Sequence, residues 1–277
     1  MIEFRQVTKK YGKKVALNDF SIQIPSGQII GIIGHNGAGK STALKSLVSI
    51  IDPSEGEIWV DGLELSANRL AIKSKIGYVS DSPDLFLKLT AFEVWELVAS
   101  AFQMGDEDFQ KRLDWLLTLF NFKEEQFGVI ESFSHGMRQK VFVIAALLSN
   151  PDIWILDEPM TGLDPQSAFE LKGLMRNHAK EGNTVIFSTH VLEVAETLCD
   201  QIAILKKGQL IFFGTVEELK AANPQASLES IYLEMTGLKN PDVIEQLDLE
   251  NKEETNLTPM EGMVGDSLVK EVDEHEN

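Results

Sequence analysis

Residues 34 to 41 read Gly34-His35-Asn36-Gly37-Ala38-Gly39-Lys40-Ser41, the spacing G-x-x-x-x-G-K-S, directly behind the apolar run Gln28-Ile29-Ile30-Gly31-Ile32-Ile33. Glycines at that spacing let the backbone curl until successive N–H groups face a polyphosphate. Lys40 then reaches the β- and γ-phosphates, and the Ser41 hydroxyl can ligate Mg²⁺. From Ser41 and Thr42 to Val48 apolar residues recur at helical spacing, so a helix N-terminus points at the anion. A nucleotide is the first ligand to expect, held by Gly34 to Thr42.

The second half of the chain supplies what such a loop needs. Ile153-Trp154-Ile155-Leu156-Asp157-Glu158-Pro159 is an apolar strand ending in two carboxylates. Asp157 is placed to help hold Mg²⁺, directly or through water. Strand alternation turns Glu158 away from Asp157, where it can orient or deprotonate the water that attacks a γ-phosphate. A further apolar strand, Thr184 to Thr189, ends in His190, a candidate hydrogen-bond donor to the γ-phosphate.

These groups need a scaffold, and the chain is long enough, at 277 residues, to bury a substantial core. Strands are expected near 2–9, 18–24, 28–33, 57–60, 76–79, 153–157, 184–189 and 201–213, alternating with helical segments. That alternation predicts an α/β fold with a mostly parallel, helix-covered sheet. Residues 91 to 149 carry no comparable strand signal; 91–99 and 112–117 instead repeat apolar residues at helical spacing and predict a helical subdomain.

Taken in order, the motifs resemble the nucleotide-binding subunit of ATP-binding cassette (ABC) transporters, a P-loop NTPase family, from about residue 2 to 237. Gly34 to Ser41 matches the Walker A motif, Ile155 to Glu158 the Walker B motif with its catalytic glutamate, and Thr161-Gly162-Leu163-Asp164 the D-loop. His190 matches the switch histidine. Phe133-Ser134-His135-Gly136-Met137-Arg138-Gln139-Lys140 stands where the family carries L-S-G-G-Q. The resemblance implies an antiparallel β region beside the core sheet, and Tyr11 as the aromatic that stacks on adenine; otherwise Tyr11 is a strand-end residue packed on the sheet.

Two motifs depart from the pattern. Asp81, after Ile76-Gly77-Tyr78-Val79-Ser80, replaces the Q-loop glutamine; a carboxylate can still ligate magnesium, or it caps the turn before Ser82-Pro83. In the signature, His135 replaces the first glycine and Met137 the glutamine, while Ser134 and Gly136 remain. The G-M-x-Q-K variant is similar to bacterial ABC-2-type exporters.

The resemblance further implies two such subunits packed head to tail, as a homodimer or heterodimer, with ATP held between Lys40 and Ser41 of one and Ser134 and Gly136 of the other. ABC transmembrane subunits would be separate chains, docking near Asp81 to Trp95 on Leu85, Phe86, Leu87 and Phe92. That places this chain peripherally on the cytoplasmic side of the cell membrane. The alternative is a soluble ABC ATPase acting on ribosomes or DNA. A net charge of −18 makes the chain a poor phosphate-backbone binder, so no nucleic acid is expected.

No apolar run approaches the roughly 18 residues of a membrane span, and the N-terminus lacks a secretory pattern. Cys199, the single cysteine, reads as a packed thiol. Residues 241 to 277 hold twelve acidic side chains against Lys252 and Lys270. The expectation for 238–277 is therefore a flexible acidic tail; an amphipathic docking helix through Met260, Met263, Val264, Leu268 and Val272 is the rival reading.

Overall fold

The computed structural model describes residues 1–82, 84–221 and 226–237. The acidic 238–277 segment, with its two readings, lies outside the described residues. Among the described residues there are ten strands: β1 (Ile2–Tyr11), β2 (Lys14–Ile24), β3 (Ile29–Ile33), β4 (Glu55–Val60), β5 (Leu63–Glu64), β6 (Ile76–Val79), β7 (Ile153–Leu156), β8 (Thr184–Thr189), β9 (Gln201–Lys206) and β10 (Gln209–Gly214). The helices are α1 (Lys40–Leu47), α2 (Arg69–Lys73), α3 (Ala91–Ala101), α4 (Asp106–Leu119), α5 (His135–Leu148), α6 (Pro165–Lys180), α7 (Leu192–Leu198), α8 (Val216–Lys220) and α9 (Leu228–Thr236).

The strands form two sheets. One is antiparallel, in the order β2-β1-β4-β5; the other runs β10-β9-β3-β8-β7-β6 and is parallel except for β10. The strands at the centre of the second sheet are covered on both faces, which is why they read as unbroken apolar runs rather than alternating ones. Ile30 and Ile32 of β3 and Ile155 of β7 pack toward the antiparallel sheet with Phe4, Phe20, Leu44 and Leu47. On the opposite face Trp154 and Phe187 pack with α5, α6 and the helices α3 and α4.

Residues 91 to 149 hold the helices α3, α4 and α5, joined by loops and by one short 3₁₀ turn at Ile130–Ser132. A Thr90–Glu93 capping box starts α3. The subdomain is fastened by Trp95, fully buried, whose Nε1 donates to the Val141 carbonyl at 2.9 Å. No helix among the described residues is long and apolar enough to cross a membrane.

The expected single strand over 201–213 is instead a hairpin. Lys207 and Gly208 both take positive φ, 50° and 81°, as a two-residue turn requires, and β10 folds back antiparallel on β9. This break has a purpose in the packing: Gly208 N–H donates to the Ala38 carbonyl at 2.8 Å, and its own carbonyl accepts from Asn18 N–H at 2.9 Å. A Cβ on Gly208 would lie 2.6 Å from the Ala16 carbonyl oxygen.

Candidate functional site

Strand order places the chemistry. β3, β8, β7 and β6 are consecutive parallel neighbours, with Ile33 beside Thr189, Phe187 beside Leu156, and Leu156 beside Val79. Their carboxyl ends therefore open side by side, delivering in turn the 34–41 loop, His190, the Asp157-Glu158 pair and Asp81. Crevices at such strand ends are where open α/β sheets take ligands.

The loop enters α1 through Gly39, whose φ of 112° suits glycine, and where a Cβ would stand 2.7 Å from the Ala16 carbonyl oxygen. No side chain caps α1 and its first turn carries no acid, so the N–H groups there are open to an anion. A cleft of about 250 Å³ lies over this turn, lined by Tyr11, Lys14, Ala16, His35, Asn36, Gly37, Gly39, Lys40, Ser41, Thr42, Asp81 and Glu158. Gly34 and Ala38 are buried beneath it.

Lys40 is buried and turns its ammonium inward. Nζ donates to the Gly34 carbonyl at 2.7 Å and lies 3.0 Å from Oε1 of Glu158. The other carboxylate oxygen of Glu158 meets Nδ1 of His190 at 2.8 Å. Glu158 thus bridges a cation and an imidazole across the cleft wall. It reaches them differently from the sequence expectation: β7 ends at Leu156, and Glu158 adopts φ 50° beyond it. A left-handed residue, held by its N–H donating to Ser188 Oγ at 2.8 Å, aims the carboxylate, not strand alternation.

Asp157 is fully buried. Ser188 Oγ donates to its Oδ1 at 2.6 Å, while Oδ2 has no hydrogen-bond partner among the described residues. Burial pushes this carboxyl above its ordinary pKa, the hydroxyls of Ser188 and Ser41 pull it back, and the Asp81 charge raises it again. A buried, unpartnered carboxylate oxygen beside the Ser41 hydroxyl fits a hard divalent cation, which would supply the missing partner.

Asp81 is half exposed, paired with Lys45 Nζ at 3.3 Å, and accepts from Ser80 Oγ at 3.1 Å. The Ser82 N–H turns to Ser80 Oγ at 3.4 Å rather than to Asp81. Tyr11 is 49% exposed and lines the cleft, with Lys9 Nζ 5.2 Å from its ring centroid.

Ser134 and Gly136 do not line this cleft. Ser134 caps α5, its hydroxyl accepting from Met137 N–H at 3.3 Å, and Gly136 lies against the carbonyl of Gly162. Of the four apolar residues expected to dock a partner, Leu85 and Phe86 are about half exposed, whereas Leu87 and Phe92 pack on the core. Sequence reasoning overlooked Phe127, 67% exposed and tilted against Phe92 at 5.3 Å between ring centroids. Its place in the polar run Lys123 to Gly128 carries no periodic signal.

Fold and cleft define a P-loop nucleotide-binding protein. Residues 17–161 match the family described as ABC transporter. The chain is 35% identical over 238 residues, 85% of its length and 96% of the relative's, to the ABC-type transporter ATP-binding protein EcsA of Bacillus subtilis. It is 30% identical to the bacitracin transport ATP-binding protein BcrA of Enterococcus faecalis, covering 80% of this chain and 72% of the other. A dimeric ATP-binding cassette solved in a post-hydrolysis state with ADP and Pi superposes with a TM-score of 0.71 at 28% identity, covering 78% of this chain and 99% of the other. The chain belongs to the ABC transporter family, as an ATP-binding subunit with ATPase activity.

Proposed function

We propose that this subunit powers an ABC-2-type exporter through separate transmembrane subunits, and that it does so as half of a head-to-tail pair with a second ATP-binding subunit. One observation carries the catalytic part: Glu158 stands between Lys40 and His190 at the mouth of the phosphate loop. The G-M-x-Q-K variant of the signature favours an exporter, and likeness to a bacitracin transport protein favours transport. The absence of Ser134 and Gly136 from the cleft favours the pair, since each half-site then lacks its second wall.

In this reading Tyr11 stacks on the adenine and Gly34 to Thr42 wrap the phosphates. A γ-phosphate arriving at Lys40 competes with Glu158 for the ammonium, freeing the carboxylate to take a proton from the attacking water while His190 holds it in orientation. Mg²⁺ would be held by Ser41 and Asp157, with Asp81 beside it, and would neutralise charge on the phosphates. Ser134 can donate to the partner's nucleotide while still accepting from Met137 N–H, because a hydroxyl does both. The unit is residues 1–237, peripheral to the cytoplasmic face of the membrane. Affinity purification of the full chain from detergent-solubilised cells is expected to recover a multi-span membrane protein; recovery with ribosomes or DNA instead overturns the transport reading in favour of the soluble alternative.

Two further results are expected. Tyr11→Ala should weaken nucleotide binding by about 1–3 kcal/mol, and equally for ATP and GTP because stacking reads a π-face; an unchanged Kd removes the ring from the site. For Asp81, ATPase rate is measured against Mg²⁺ concentration. Asp81→Ala should need more Mg²⁺, and Asp81→Gln should keep much of the turnover while shifting the same curve, since an amide is a weaker ligand than a carboxylate. Superimposable normalised curves for all three chains would take Asp81 away from the metal.

A further inference from the structure

The start of α5 and the loop that leads from β7 to α6 meet without side chains between their backbones. A Cβ on Gly136 would stand 3.1 Å from the Gly162 carbonyl oxygen. A Cβ on Gly162 would overlap Cδ2 of His135 and come within 3.1 Å of its Nε2. The Cδ2 edge of the His135 imidazole therefore points into the space that Gly162 leaves empty. Gly162, with φ 75°, sits four residues after Glu158 in a loop closed by successive turns: Thr161 N–H donates to the Glu158 carbonyl at 3.2 Å, and Leu163 N–H to the Met160 carbonyl at 3.4 Å. The loop's far end is anchored by Asp164, which caps α6 through Ser167 N–H at 2.9 Å. A loop tied at each turn moves as a body, so a push on Gly162 is felt at Glu158.

We infer that His135 is a positioning residue, its ring seated on Gly162 so that the N-terminus of α5 and the loop bearing Glu158 move as one piece. The inference rests on the head-to-tail reading above. In that pair α5 faces the nucleotide of the opposite subunit, while Glu158 serves the nucleotide of its own. Arrival of one nucleotide at Ser134 and Gly136 would thus set the carboxylate aimed at the other. His135 takes no part in bond making; it acts through Gly162.

A double-mutant cycle on the full chain tests this. His135→Ala is expected to lower kcat about tenfold, since small misplacements of a catalytic group have effects of this size or larger, while leaving the Kd for MgADP and the melting temperature at parental values. Gly162→Ala should lower kcat by about tenfold or more in the parent and by less than about threefold in the His135→Ala chain, where no ring is displaced. Strain from the positive φ is present in both backgrounds and cancels. Full additivity of the two substitutions overturns the inference. If Gly162→Ala does not fold, His135→Gln decides: a planar amide that still covers Gly162 should retain at least about half of parental turnover, and equal rates for the Gln and Ala chains overturn the inference. A parental chain without ATPase activity overturns the functional reading itself, whereas an active parent silenced by Glu158→Gln leaves that reading standing whatever the cycle returns.

Discussion

Glu158→Gln is expected to bind ATP and to lose about two or more decades of hydrolysis, the range for removing a general base together with its positioning of water. The structure makes this substitution unusually clean. An amide keeps the reach of the side chain and can still pair with Nδ1 of His190, now 2.8 Å from the carboxylate. What disappears is the negative charge, and with it the proton acceptor and the attraction for Lys40 at 3.0 Å. Relieved of that competitor, Lys40 should hold a γ-phosphate at least as firmly as before, so the variant should accumulate as an ATP-bound dimer on size exclusion. Hydrolysis at the parental rate would remove Glu158 from the role.

Lys40→Ala should raise the Kd for ATP by about one to two decades and abolish turnover. A hydrogen bond to a charged group contributes about 1.5–3 kcal/mol, and here one ammonium serves the phosphates, the Gly34 carbonyl and Glu158. Removing it strips the loop of its internal cross-tie and leaves a largely buried carboxylate without its cation. Titration with a fluorescent ATP analogue measures the first effect and phosphate release the second. Parental affinity in Lys40→Ala would mean that the backbone N–H groups of the loop bind the polyphosphate unaided.

Much of this architecture could be read from residue order, because the fold repeats one local device: an apolar strand, a chemically marked end, then a helix. Buried parallel strands advertise themselves as short apolar runs, so β3, β7 and β8 stood out, as did the residues at their ends. What stayed hidden depends on contacts distant in sequence. The turn at Lys207 and Gly208 looked like part of one strand, since β9 and β10 are both rich in β-branched and aromatic residues and only positive φ at two consecutive positions parts them. The aim of Glu158 was expected from strand alternation, yet it is set by a left-handed backbone beyond the strand. His135 looked like a lost glycine in a signature; its relation to Gly162 needs both segments in space.

The small hairpin at 207–208 also changes the thermodynamics of the neighbouring loop. Fixing the backbone of a mobile residue carries an entropic penalty of roughly 1–2 kcal/mol, and a ligand that must organise its own cradle forfeits that amount from its affinity. Here the Ala38 carbonyl is already gripped by Gly208, and the Ala38 N–H by the His35 carbonyl at 3.0 Å. The ordering is thereby completed during folding, when the sheet closes, and is charged to the stability of the whole domain. Triphosphate can then dock into a rigid mould and surrender little of its binding free energy to entropy.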